Sequence, residues 1–503
     1  MSATTLNDLI ATGADDAVAL AAPDRQPLTF AGLRTLVADT VTALNALGVG
    51  RNDRVAIVLP NGPEMAAAFI AVGAGATTAP LNPSYRGEEF RFYLEDLNAR
   101  ALLVEAGSES PAIEVARDLG VPVYEIAVPD GAPAGVFTLP AGDATATSPG
   151  LAQPDDTALV LHTSGTTSRP KIVPLSQTNI CASAHHIGES LALQPADRCM
   201  NIMPLFHIHG LIAAVLSSIA AGASVYCTPG FNALRVFGWF EDAEPSWYTA
   251  VPTMHQAILS RAGRNAETIA RMKLRLIRSS SSSLPPQVMA EAEKVFGCPV
   301  IEAYGMTEAA HQMASNPLPP KARKPGAVGL AAGPEVAIMD DDGKLLPSGE
   351  IGEVVIRGPN VTSGYESNPK ANAEAFTEGW FRTGDQGVID EEGYLALTGR
   401  LKEIINRGGE KISPREVDEV LLDHPAIGQA VTFALPHDKL GEEVAVAIVL
   451  KEGAEATEGE VREFAAGRLA DFKVPRKVVF LDEIPKGATG KLQRIGLHEK
   501  LGL

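Results

Sequence analysis

Apolar residues recur at Leu33, Leu36, Val37, Val41, Leu44 and Leu47, a spacing that predicts an amphipathic helix, with Gly48 and Gly50 as its stop. Arg54–Pro60 is apolar after its first residue and reads as a buried strand. Asn61-Gly62-Pro63 then marks a turn, and Glu64–Val72 a helix of small residues leading to a strand near Thr78–Leu81. Ala101–Glu105 and Val121–Ile126 continue the alternation, which predicts a parallel sheet with helices on both faces.

Gly131–Pro154 is crowded with Gly, Ala, Pro, Ser and Thr, shows no period, and is expected to be an exposed loop. Strands follow at Ala158–Leu161 and near Cys199–Met203, Ser224–Tyr226, Trp247–Ala250, Leu274–Ser279 and Pro299–Glu302, with helical segments between them. Beyond Gly326 come short β runs with turn signals such as Asp341-Asp342-Gly343, Pro347-Ser348-Gly349 and Glu391-Glu392-Gly393, as in a small β subdomain. Past Arg400 the pattern is compact α+β, with a helix over Pro414–Leu422 and strands near Ala430–Phe433, Val444–Leu450 and Val478–Leu481. The predicted class is α/β: a large N-terminal domain over residues 1–399, with mostly parallel sheets flanked by helices plus the small β subdomain. A short connector at 400–402 leads to a small α+β C-terminal domain over 403–503.

Composition narrows the function. With 503 residues, 45% apolar and 20% charged, the chain is long enough for more than one core and ordinary for a globular protein. No apolar run approaches the ~18 residues of a membrane span, and the first residues carry neither a basic region nor an apolar signal core, so the cytoplasm is the expected location. Four widely spaced cysteines lack metal-ligand spacing and imply no disulfide framework. A formal net charge of −19 argues against nucleic acid or an anionic membrane as partner. It also makes lysines and arginines inside motifs informative.

Thr163-Ser164-Gly165-Thr166-Thr167-Ser168-Arg169-Pro170-Lys171 follows the Ala158–Leu161 strand. Hydroxyls, a glycine whose backbone N–H a phosphate can approach, and a lysine as a point charge suit a polyphosphate. The loop is not a Walker motif, because Pro170 precedes Lys171 and Ile172 follows it. A polar turn has much the same composition, so the loop alone does not decide.

The decision comes from an ordered series. The loop, then Tyr304-Gly-Met-Thr-Glu308, Arg382-Thr-Gly-Asp385, Gly399-Arg-Leu-Lys402, Asn406-Arg-Gly-Gly-Glu-Lys-Ile412 and Pro485-Lys-Gly-Ala-Thr-Gly-Lys491 resemble the motifs of the adenylate-forming superfamily, in its order and over most of the chain. The resemblance implies ATP and CoA as co-substrates and Mg2+ as cofactor. Thr163, Ser164, Gly165, Thr166, Thr167, Lys171 and Tyr304 would then bind ATP, while Asp385 grips the ribose with Arg400 beside it. It implies that Lys491 bridges the acid and the α-phosphate, with Thr307 and Glu308 also catalytic and Thr166 and Glu308 near the metal. Lys402 would be the hinge of a mobile C-terminal domain, and Arg407, Gly408 and Gly409 would line the CoA tunnel. One departure is Ile172, where the family commonly has glycine: a β-branched residue is strained at positive φ, so either the loop is extended there or nucleotide turnover is altered.

Acid specificity is expected from Pro204–Gly210, the run Arg278-Ser279-Ser280-Ser281-Ser282-Ser283, and Ala309-Ala310-His311, which supply donors suited to a second carboxylate on the substrate. His207 and His209 could instead be a metal pair, but no third ligand with suitable spacing accompanies them. These segments, together with Trp247–Thr253 and Asn316-Pro-Leu-Pro319, are similar to oxalate–CoA ligases of plants, fungi and bacteria. That likeness implies an acid–thiol ligase that forms oxalyl-adenylate and then oxalyl-CoA, with Ser281 and His311 holding the distal carboxylate and His207 close by. Malonate is the near rival, one methylene longer; a catalytically weakened adenylate-binding relative is the other.

Overall fold

The computed structural model describes residues 3–163, 170–485 and 494–503. The chain forms two compact units, the first from Met1–Thr163, Lys171–Val336 and Ile356–Phe381, the second chiefly from Ala337–Val355 and Arg382–Leu503.

The first unit holds two mostly parallel sheets, as the strand–helix alternation predicts. The smaller runs Val123–Ile126, Ala101–Glu105, Arg54–Val58, Thr77–Pro80, Thr157–Thr163, Lys171–Ser176, and only its last pairing is antiparallel. The larger has nine strands. Its central part is parallel, in the order Val300–Met306, Leu276–Ser279, Trp247–Ala250, Arg198–Asn201, Ser224–Cys227, Val18–Ala21. At one end His311–Ser315 adds antiparallel to Val300–Met306. Helix Pro63–Gly73 touches Thr77–Pro80 of one sheet and Val18–Ala21 and Ser224–Cys227 of the other. Lying between two sheets, it is buried on every side except at Glu64, which explains its run of Ala66, Ala67, Ala68 and Ala71.

Two expectations change in detail. The strand expected to end at Glu302 continues to Met306, because its last residues pair with His311–Ser315. Residues 131–154 hold no named strand or helix but are not simply exposed: Ala134, Phe137, Ala146 and Ala152 are buried. The segment is tied down by bonds from Arg51 N to Ser148 O (2.8 Å) and from Ala144 N to Ala46 O (2.8 Å), which its lack of period gave no means to foresee. All four cysteines are free and buried, as their spacing implies. Among the described residues, no helix is long and apolar enough to cross a membrane.

In the second unit Trp380–Ile389 pairs antiparallel with Leu395–Arg400. Its other sheet runs Glu410–Ile412, Ile405–Arg407, Gly441–Leu450, Ile427–His437, with Lys477–Phe480 parallel to Gly441–Leu450. Helices Pro414–Leu422 and Glu458–Ala466 supply Val417, Leu421, Val461 and Ala465 to one core with Ile405, Val446 and Ile448.

Candidate active site

Thr163 and Lys171 face each other across the pairing of Thr157–Thr163 with Lys171–Ser176. Ser164, Gly165, Thr166 and Thr167 lie outside the described residues, as does Lys491. Ile172 continues the strand opposite His162 and packs with Val58, Ala79 and Val160. It is not among the residues with positive φ. The chain after the lysine is strand and not turn, so the extended alternative holds and the β-branched side chain is well placed.

The strand Val300–Met306 delivers Tyr304, and a single tight turn, Thr307–Ala309, carries Thr307 and Glu308. The return strand begins at once, with His311 opposite Met306 and Gln312 opposite Gly305. Gly305 makes this possible, since a Cβ there would lie 1.9 Å from the His311 carbonyl oxygen. The Tyr365 hydroxyl donates to Glu308 Oε1 (2.8 Å), and Lys171 Nζ sits 4.3 Å from the centroid of the same ring. A lysine and a carboxylate thus share one aromatic platform. Burial, reinforced by the Glu308 charge, pushes the Tyr365 phenol above its ordinary range, so it remains a donor. The Thr362 N–H donates to the Glu308 carbonyl (2.7 Å), and Asn360 Nδ2 donates to the carbonyls of Ala309 (2.8 Å) and Gln312 (3.0 Å), fixing the turn from behind.

A second cluster lies at the ends of neighbouring strands. His209 opens a π-helical segment, His209–Leu216, a geometry that often re-aims residues at functional sites. Its Nδ1 is 2.9 Å from Ser281 Oγ and its Nε2 2.6 Å from Thr249 Oγ1, and its ring stacks on that of His311 with centroids 5.0 Å apart. Both ring nitrogens face hydroxyls, which speaks against a metal pair with His207; among the described residues no group of three or more metal-ligating side chains occurs. The His207 ring packs against Phe206, centroids 4.6 Å apart. Ser281, Ala310 and His311 all have positive φ (74°, 47° and 105°), a conformation costing non-glycine residues on the order of 1–3 kcal/mol each. Such strain is retained where a site over-determines it.

Behind this cluster, Arg278 and Thr249 are register partners on adjacent parallel strands, and both side chains are fully buried. Central strands of a parallel sheet are covered on both faces and are normally apolar, so a guanidinium there is anomalous. Arg278 donates to Gln312 Oε1 (3.2 Å) and, at long range, to Thr249 Oγ1 (3.5 Å). No carboxylate pairs with it among the described residues, and burial pulls its pKa down to about 9, so it stays charged at neutral pH.

In the second unit Asp385 and Arg400 stand opposite each other in register, with Arg400 Nε 3.2 Å from Asp385 Oδ1. The Asp385 N–H donates to Thr383 Oγ1 (3.1 Å). Lys402 is exposed in the turn that follows. Gly408 and Gly409 form the two-residue turn between Ile405–Arg407 and Glu410–Ile412, both at positive φ (60° and 102°) as such a tight hairpin requires. Arg407 Nε lies 2.5 Å from Glu443 Oε1, which holds the guanidinium above its ordinary pKa.

Residues 9–366 match the family model of AMP-binding enzymes, and residues 416–491 that of the AMP-binding enzyme C-terminal domain. The protein is an AMP-binding enzyme. The enzyme is 45% identical over 504 residues to an oxalate–CoA ligase of Arabidopsis thaliana, covering 98% of each chain. It is 45% identical over 472 residues to an oxalate–CoA ligase of Saccharomyces cerevisiae, covering 89% of this chain and 86% of the relative. Among solved structures it is similar to ATP-bound MatB from Rhodopseudomonas palustris, with a TM-score of 0.89 at 30% identity, covering 99% of both chains. Within this AMP-binding enzyme, Ser281 and His311 come together as expected, and the histidine bonded to Ser281 is His209. Tyr365, Thr249 and Gln312 were not singled out. Arg278 was quoted with the serine run, but only its place in a buried strand could have marked it as unusual.

Proposed function

We propose that the enzyme is an oxalate–CoA ligase. A carboxylate oxygen of oxalate attacks the α-phosphorus of ATP and the bond to the bridging oxygen breaks, releasing pyrophosphate. The CoA sulfur then attacks the acyl carbon of oxalyl-AMP, and AMP leaves. The observation that carries this reading is the His209–Ser281 hydrogen bond beside His311, a set of polar groups where a fatty or aromatic acid would call for an apolar wall. A distal carboxylate, costly to bury alone, is offset there by donors from Ser281 and His311, with His207 close by.

Thr163, Lys171, Tyr304 and Thr307 contact the nucleotide in this scheme together with Ser164, Gly165, Thr166 and Thr167, while Asp385 takes the ribose hydroxyls and Arg400 orients it. Lys491 supplies the positive charge that draws acid and α-phosphate together. Lys402 is the pivot between residues 1–399 and 403–503, and Arg407, Gly408 and Gly409 line the CoA path. Glu308 fits a Mg2+ site of the usual kind, one carboxylate and a hydroxyl such as Thr166 completed by phosphate oxygens. When bound, that ion neutralises phosphate charge. Tyr365 holds one Glu308 oxygen and so fixes the direction of the other. The cytoplasm is the compartment this reading assigns.

Pyrophosphate release with ATP, Mg2+ and CoA, compared across oxalate, malonate, succinate, glycolate, acetate and coumarate, tests the assignment. Oxalate is expected to lead, and His311→Ala to raise its KM roughly tenfold or more with the KM for ATP little changed. Preference for malonate would keep the chemistry and overturn the substrate; silence with every acid would favour a catalytically weakened relative.

A further inference from the structure

We propose that Arg278, Thr249 and His209 form a one-way hydrogen-bond relay that fixes the Ser281 hydroxyl as a donor to the substrate's distal carboxylate. All three are positioning residues for the acid. The relay rests on the proposed function only in taking Ser281 as the group that meets the acid.

The direction follows from what each group can give. A guanidinium has no acceptor, so its contact with Thr249 Oγ1 uses a lone pair of the threonine. Thr249 then has one hydrogen to place, and His209 Nε2 stands 2.6 Å away. If Nε2 carried a hydrogen and donated it, Thr249 Oγ1 would accept twice and its own hydrogen would be left buried with no acceptor among the described residues. Buried hydroxyls avoid that condition. The satisfied arrangement therefore has Thr249 donating to Nε2, which places the His209 hydrogen on Nδ1. Nδ1–H donates to Ser281 Oγ at 2.9 Å, and the serine's hydrogen is left for the substrate.

Two further features belong to the same design. Ser281 is held at φ 74°, so its hydroxyl direction is set by the backbone as well as by the imidazole. Arg278 is fully buried without a carboxylate among the described residues, a poor arrangement for a packing residue and a sensible one for a residue that awaits an anion. Its charge polarises each bond of the chain in the same sense, because every dipole from Thr249 to Ser281 points its positive end towards the acid. Burial, which pulls Arg278 down in pKa, still leaves it charged at neutral pH.

The tautomer can be read with no acid present. In the full-length enzyme labelled with 15N-histidine, the His209 resonances, assigned by their loss in His209→Gln, are expected to report a hydrogen on Nδ1 and a bare Nε2. A hydrogen on Nε2, or on both nitrogens, overturns the relay. Thr249→Val, which keeps the volume and removes the hydroxyl, is expected to shift His209 towards the other tautomer and to raise the KM for the acid roughly tenfold, with the KM for ATP within about twofold. Thr249→Ser restores both. An unchanged acid KM in the valine variant, or a serine variant as impaired as the valine one, would assign Thr249 to packing and overturn the relay. If the wild type prefers another acid, the proposed substrate fails, while the tautomer and the KM split measured with that acid still decide the relay. If the valine variant does not fold, the wild-type tautomer decides it alone.

Discussion

Two arginines withdrawn from water sit in opposite electrostatic surroundings. Arg494, in the second unit, lies 2.7 Å from Asp418 and 3.4 Å from Glu403, and donates to the Thr432 carbonyl at 2.9 Å. Arg278, in the first, is fully buried with an amide and a hydroxyl as its printed company and no carboxylate among the described residues. Burial works against both charges, but the carboxylates outweigh it at Arg494 and hold that guanidinium above its ordinary pKa, while Arg278 falls to about 9. A charge that serves the fold is paired within the fold. One that serves a ligand is left for the ligand to pair, and the protein carries the cost in its absence.

The sharpest way to break this contrast is to remove each charge's reason for being there. Asp418→Ala leaves Arg494 short of its nearest partner and the Thr432 N–H without the acceptor it meets at 2.6 Å, and should lower stability by about 4 kcal/mol. Arg278→Met fills similar volume without a charge. It should leave stability unchanged or raise it by about 1–2 kcal/mol, while pyrophosphate release with oxalate falls more than roughly tenfold. Urea unfolding of both variants decides: a loss at Arg278 as large as that at Asp418 would make it structural too.

Buried histidine sharpens the same point from the neutral side. His255 is 2% exposed, with Nδ1 3.2 Å from the Tyr248 hydroxyl, and burial lowers its pKa from 6.5 to about 4. The folded state thus resists a proton that the unfolded state accepts. Stability from this site is complete above about pH 6.5 and is lost as pH falls from there towards 4, by about 3 kcal/mol in the limit. His255→Gln should flatten the stability profile across that window, measured by urea midpoints at intervals of pH. Unlike Arg278, His255 gives up its charge when buried, which is the ordinary course for an ionisable group with no ligand to wait for.

Periodicity and turn signals were enough for the two parallel sheets, because a buried strand such as Arg54–Val58 or Trp247–Ala250 announces itself by composition. The motif residues were legible as types: Ser281 and His311 do converge. The relay behind them was not, because it depends on register. Thr249 meets Arg278 only because two parallel strands align at that step, and His209 meets both hydroxyls only through the π-helical segment at its start. Tyr365 is separated from Glu308 by 57 positions, with no local pattern linking them. Ile172 shows the converse, since strain foreseen from a family glycine vanishes once the residue is in a strand.

The smallest expected effect on stability is at a third arginine, and it completes the contrast. Arg400 is 54% exposed on its side chain and pairs with Asp385 at 3.2 Å in water's reach. An exposed ion pair contributes less than about 1 kcal/mol, so Arg400→Ala should barely move the urea midpoint. If Arg400 orients Asp385 for the ribose, the same variant should raise the KM for ATP several-fold and leave that for the acid alone. Thr249→Val should do the reverse. Salt separates them again: with a Debye length of about 8 Å at physiological ionic strength, added salt weakens the exposed pair and raises the KM for ATP, while the buried relay is shielded from it. An acid KM as salt-sensitive as the ATP KM would place Arg278's influence in solvent, and the difference between the two arginines would then be one of position and not of function.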